Sequence, residues 1–205
     1  MQKQTKKGSL SLSINAIVVL IMAIAMLGVG IFFINSVLRD NISGIGEVPD
    51  SVRQQLESLM QQTGEKLYID GLRENTLAIP LRNEGRITVA MNNQRESIGH
   101  YAIHIQAVRG WDGEGEPITE TPSSPIDRGV RIQGLTIDDP DNIEVFDATR
   151  ISIGEYGMQT ITFRAGNQRG RVLYQVSVYV ADEPEGTGNP VFELYEQQTF
   201  FVQIQ

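Results

Sequence analysis

The sequence predicts a mainly β protein: an N-terminal apolar helix, a short amphipathic helix, and an antiparallel β-sandwich formed by residues 66–205. Three observations lead there. Beyond Lys66, stretches of alternating apolar and polar residues are separated by turn residues, with no helical interlude. The 20 Gly and 8 Pro suit a domain with many turns. Only one run, Ala16–Ile34, is apolar throughout, and a small β domain has no room to bury it.

That run reads AIVVLIMAIAMLGVGIFFI, without a charge in it. A helix of roughly 20 residues crosses a hydrocarbon core of about 30 Å, so residues 16–38 are expected to span a membrane. Charge sets the orientation. The whole chain carries −8, yet residues 1–39 hold Lys3, Lys6, Lys7 and Arg39 with no acidic residue, which leaves −12 for the remainder. The positive-inside rule then places residues 1–15 in the cytoplasm and the acidic part outside. A cleaved secretory signal fits less well, because Asn35-Ser36-Val37-Leu38 follows the run where a small-x-small site would be expected.

Composition narrows the partners. A segment at −12 repels phosphates, so nucleic acid is not an expected ligand. The charge suits solubility at a cell exterior. With no cysteine there is no disulfide framework, thiolate metal site or thiol catalysis. At 205 residues the chain suits one domain plus an anchor.

Upstream of the apolar run stands Lys6-Lys7-Gly8-Ser9, a basic pair and a glycine followed by the lead-in Leu10–Asn15. This segment resembles the prepilin-type signal of archaeal type IV pilins and archaellins. The resemblance implies a membrane peptidase that cuts between Gly8 and Ser9 on the cytoplasmic side. It also implies a mature chain that begins with the apolar helix and assembles with other copies through it. The match covers about residues 3–34. It departs from bacterial pilins, which carry a glutamate where Ser13 stands here, and its apolar run starts later, after Ser9, Ser11 and Ser13. An uncleaved signal anchor remains the alternative.

Residues 39–65 read as a stalk. Asn41, Ser43, Gly44, Gly46 and Pro49 break the helix. Asn41-Ile42-Ser43 is an acceptor sequence for N-glycosylation on the predicted outer side. Asp50 or Ser51 can cap a helix to about Gln62, with Val52, Leu56, Leu59 and Met60 on one face and Gly64 as its stop. That face is expected to pack on the β domain.

In the head, Thr76–Leu81 and Arg86–Met91 flank Asn83-Glu84-Gly85 as an expected hairpin. His100–Val108 sets Tyr101, Ile103, Ile105 and Ala107 inward, with His100 and His104 on a solvated face. A long loop, Arg109–Asp127, is expected to contain Trp111. Gly129–Ile137, Ile143–Ile153, Met158–Arg164 and Arg171–Val180 follow as strands. Val191–Tyr195 and Thr199–Ile204 read as one bulged strand. Short strands in this number point to an immunoglobulin-like sandwich, although the intersheet Cys pair is lacking and the approach to Tyr174 only faintly resembles a tyrosine corner.

Chemistry is sparse. His100 and His104, four apart on a strand, lie roughly 13 Å apart, too far to share a metal. Asp138, Asp139 and Asp141 place several oxygens in one turn and are weak candidates for a hard cation. They lack the spacing of an EF-hand loop, and acidic turn residues explain them better. No nucleophile elbow, zinc-helix motif or phosphate loop is present in the sequence. The expectation is a non-enzyme without a cofactor. Its partners would be a lipid bilayer, a prepilin-peptidase-like processing enzyme and further copies of itself. The alternative is a monomeric anchored binding module.

Overall fold

The computed structural model describes residues 48–144, 147–182 and 190–205, together with Val18, Val19, Met22 and Met26. Those four early residues are helical and exposed. Among the described residues no helix is long and apolar enough to cross a membrane; the rest of the predicted span 16–38 lies outside them. The chain divides into two compact units, Met1–Ile45 and Gly46–Gln205. The second holds all the described strands.

It opens with helix α1 (Asp50–Thr63). Pro49, not Asp50 or Ser51, is the N-cap: its carbonyl accepts the N–H groups of Val52 and Arg53, and no side chain caps the helix. Gly64 ends it in the left-handed region at φ 71°, with its N–H on the Met60 carbonyl. Leu56 and Met60 are buried against Ala90, flanked by Val52, Tyr68, Tyr156 and Met158. The expected apolar face therefore packs on the outer side of a sheet.

Eleven strands follow: β1 (Leu67–Asp70), β2 (Thr76–Ile79), β3 (Glu84–Asn92), β4 (Gly99–Asp112), β5 (Pro117–Ile118), β6 (Arg131–Gln133), β7 (Thr136–Ile137), β8 (Thr149–Ile151), β9 (Tyr156–Arg164), β10 (Gly170–Asp182) and β11 (Glu193–Ile204). One sheet runs β1-β3-β9-β6. The other runs β2-β11-β10-β4-β5, with β7 and β8 also on β4. These orders correspond to the ABED and CFG sheets of an immunoglobulin-like sandwich, so the predicted fold class holds for this unit. Strand β2 lies parallel to β11, Thr76 opposite Phe201, and supplies the start of the second sheet.

Inward residues of both sheets make one core, including Ile87, Val89, Tyr101, Ile103, Ile161, Val172, Val176 and Val202. At its centre Phe163 of β9 meets two rings of the opposite sheet, Tyr174 at 5.4 Å and Phe200 at 5.7 Å, both edge-on. Tyr174 stacks on Phe200 at 6.0 Å. This aromatic cluster packs the two sheets together in a chain that has no cysteine. The Tyr174 hydroxyl is buried with no described hydrogen-bond partner, so it does not form a tyrosine corner.

Several expected elements are different. The β2–β3 hairpin does not exist: β2 belongs to one sheet and β3 to the other, so residues 80–83 are a crossover. Gly85, expected in the turn, lies inside β3, where a Cβ would stand 2.7 Å from the Ile79 side chain. The expected strand Gly129–Ile137 is split into β6 and β7 at Gly134, φ 151°, where the chain changes sheet. Ile143–Ile153 contributes only β8. The loop expected from Arg109 begins after Asp112, which makes Trp111 a strand residue. Strand β11 is continuous, with a register shift against β10 near Tyr179, as the bulged reading anticipated.

Candidate functional site

Lys6, Lys7, Gly8, Ser9 and Asn41 lie outside the described residues. The acidic turn is described. Asp138, Asp139 and Asp141 are exposed just after β7, and the Asp139 carboxylate accepts the N–H of Asp141 at 3.0 Å. That bond uses the carboxylate to shape the turn. Among the described residues, no three His, Asp or Glu side chains are placed to hold a metal ion.

The structure brings one histidine to this turn, which the sequence did not suggest. Strand β7 pairs with β4 so that Ile137 lies beside His104, and Asp138 and Asp139 follow directly. His104 is half-buried. Desolvation holds its pKa below the usual value, and the two aspartates oppose that shift. His100 is not on a solvated face: it is buried, as are its outer-face neighbours Ala102, Ser177 and Ala181. The outer side of β4 and β10 is closed over at that level.

The most highly organised polar group lies at the end of the sandwich that carries the β3–β4 loop (93–98), the β8–β9 turn (152–155) and the start of β11. Asn93, fully buried, is its hub. Its amide nitrogen donates to the Ser97 carbonyl at 2.9 Å and to the Ile151 carbonyl at 3.0 Å. Its amide oxygen accepts the Tyr101 hydroxyl at 2.8 Å and the Arg95 N–H at 3.0 Å. Its own N–H reaches the Glu155 carbonyl, and its carbonyl takes the Gly154 N–H. One amide thus ties two loops and a core strand together.

Tyr195 extends the arrangement to the head's N-terminal side. Its hydroxyl donates to the Asn92 carbonyl at 2.7 Å and accepts the Gln94 N–H at 3.2 Å. Its ring stands edge-on to Tyr101 at 5.2 Å, with the Lys66 ammonium 5.1 Å from its centre. The Gln94 amide donates to the Gly64 carbonyl at the end of α1, at 3.0 Å. Beside these, Asp182 accepts the Ser97 hydroxyl at 2.6 Å and pairs with Arg95 at 3.0 Å. The Ser97 bond and the Arg95 charge hold the Asp182 carboxyl below the usual range.

This end is therefore stiff, and it is acidic outside: Glu65, Glu96, Glu155 and Glu193 are all exposed there. The arrangement fixes the conformation of loops that face outward from a rigid sandwich, which is how such scaffolds present contact surfaces. Sequence reasoning missed it. Asn92-Asn93-Gln94 reads as an ordinary polar turn, and the partners that make Asn93 a hub come from as far as Glu155.

No protein-family model matches the sequence, and neither does any curated protein. Among solved structures, similarity is found to the ASH / PapD-like domain 7 of human CEP192, at 13% identity over 68% of this chain and 84% of that one, with TM-score 0.38. A family 123 glycoside hydrolase from Clostridium perfringens is similar at 12% identity, over 63% of this chain and 22% of that one, with TM-score 0.33. A chain of the CsuC–CsuE chaperone–tip adhesion subunit complex of Acinetobacter baumannii is similar at 11% identity over 68% and 51%, with TM-score 0.30. Likenesses this distant do not bear on activity, partner or compartment.

Proposed function

We propose that this chain is a non-enzymatic structural subunit of an archaeal cell-surface filament for adhesion or motility, assembled through its N-terminal apolar helix. The observation that carries this reading is the order of parts. A basic pair and Gly8-Ser9 stand before a charge-free run of nineteen residues, Ala16–Ile34, and the run is followed by an immunoglobulin-like unit with its own complete core. The processing residues are Lys6, Lys7, Gly8 and Ser9. The lysines hold the site at an anionic cytoplasmic face, and Gly8 leaves the scissile backbone unhindered.

After cleavage the helix has no charge to keep it from packing against its copies. Ala23, Ala25, Gly28 and Gly30 are small enough to allow close approach of helices in lipid, where packing rather than the hydrophobic effect drives association. The acidic head then faces outward in each copy. A second reading, a monomeric anchored module, is favoured by the Asn41–Pro49 stretch. Its glycines are residues that disfavour a helix running unbroken into the head.

Substituting Gly8→Val separates the two. In the filament reading, the β-branched side chain blocks cleavage, so the protein accumulates at its full-length mass and electron microscopy of the cells finds no filaments containing it. In the anchor reading, the mass and surface display of the variant match those of the unaltered protein.

A further inference from the structure

The outer face of the larger sheet carries a second group of side chains, at the end opposite the Asn93 hub. Trp111 on β4 lies directly across from Arg171 on β10, and Phe201 on β11 is across from Leu173, two residues further along the same strand. Trp111 and Phe201 are half-buried and Arg171 is exposed. The two rings are 6.2 Å apart at a tilt of 49°. The Arg171 guanidinium lies over the Phe201 ring, 3.6 Å from its centre, and has no described carboxylate partner.

The β4–β5 hairpin stands beside them as a wall. Asp112 accepts the N–H groups of Glu114 and Glu116, each at 2.9 Å, and Gly115 takes φ 93° at the tip. Both bonds stiffen the hairpin and commit the Asp112 carboxylate to it. The Glu114 side chain is exposed and uncommitted among the described residues. Wall and floor enclose a concavity of about 430 Å³. That volume is of the size that holds a small organic ligand.

The chemistry of the lining selects the ligand. Half-exposed aromatic faces stack on a flat apolar C–H surface. A guanidinium held by stacking presents its N–H edges as fixed donors, and a carboxylate on a stiff wall accepts O–H groups. A molecule with one apolar face and hydroxyls around its rim meets all three. An anionic ligand would face Asp112 and Glu114 on a head that carries a large negative charge, and a cationic one would face Arg171. We propose that this concavity binds a neutral pyranose sugar, with Trp111 as the stacking platform, Arg171 as donor and Glu114 as acceptor. The site stands whether or not the chain assembles into filaments.

Trp111 is the sole tryptophan, so its fluorescence reports on this site alone. The full chain, in a detergent whose head group carries no sugar, is titrated with the methyl pyranosides of glucose, galactose and mannose, and with methyl glucuronoside as the anionic control. A saturable change with at least one neutral sugar is expected, with half-saturation in the range of about 1–10 mM that suits so small a ligand. The glucuronoside should bind about tenfold more weakly, and Arg171→Met and Glu114→Gln should each weaken the neutral sugar about tenfold at unchanged melting temperature. Saturation-transfer NMR should show the sugar signal lost in Trp111→Ala and retained in Trp111→Phe. The assignment is overturned if no neutral sugar gives a saturable change up to about 100 mM, if the glucuronoside binds as well, or if the folded variants titrate like the parent.

Discussion

Replacing Asn93 with alanine is expected to lower the melting temperature by about 8–16 °C, from a loss of roughly 4 kcal/mol at about 2–4 °C per kcal/mol for a domain of this size. The estimate follows from what is left behind. The buried Tyr101 hydroxyl and Ile151 carbonyl, and the half-buried Ser97 carbonyl, would each lose a partner. A buried polar group without a partner costs about 1–3 kcal/mol, so the three losses together outweigh any gain from a smaller side chain. The backbone bonds of residue 93 to Glu155 and Gly154 remain in the variant, and they keep the loss from becoming complete. Asn93→Asp should do no better near neutral pH, since it sets a second oxygen against two carbonyl oxygens. A calorimetric shift under about 2 °C for Asn93→Ala would mean that the hub does not bear on stability.

The second large effect is expected at the centre of the core. Phe163 is fully buried and is the one ring of the first sheet that touches both Tyr174 and Phe200 of the second. Phe163→Ala removes the side chain and leaves a cavity that neighbouring strands cannot close, a loss of about 3–5 kcal/mol. With a urea dependence near 2 kcal/mol per molar, the unfolding midpoint should fall by about 1.5–2.5 M. Phe163→Leu retains most of the volume and should cost about a third as much. Equal and small shifts for both variants would show that the two sheets are held together elsewhere.

Strand faces were readable in the sequence, and strand partners were not. The alternation in His100–Val108, Met158–Arg164 and Arg171–Val180 places the correct side chains inward, because the pleat alone decides which face a residue occupies. The same alternation in Thr76–Leu81 and Arg86–Met91 suggests a hairpin, yet one strand pairs with β11, far along the chain, and the other with β1 and β9. Period two says nothing about the neighbour. Gly85 and Gly134 mislead for a related reason. Gly85 reads as a turn residue and Gly134 as part of one continuous strand, but Gly85 serves a close approach between sheets and Gly134 a change of sheet.

The polar features were less legible still. Asn93 gathers partners from two loops and two strands, and Trp111 gains its setting from Arg171 and Phe201, some 60 and 90 residues further along the chain. Neither leaves a local pattern. Apolar run and leader pattern are purely local, which is why the proposed processing could be read from residues 3–34 alone.

Intact-mass analysis with N-terminal sequencing, on protein taken from native membranes, tests the central claim most directly. The filament reading predicts a mature chain that begins at Ser9, with the apolar helix at its front. A chain that begins at Met1 or Gln2 would contradict it and leave a tethered head that meets its partners through its loops and sheet faces.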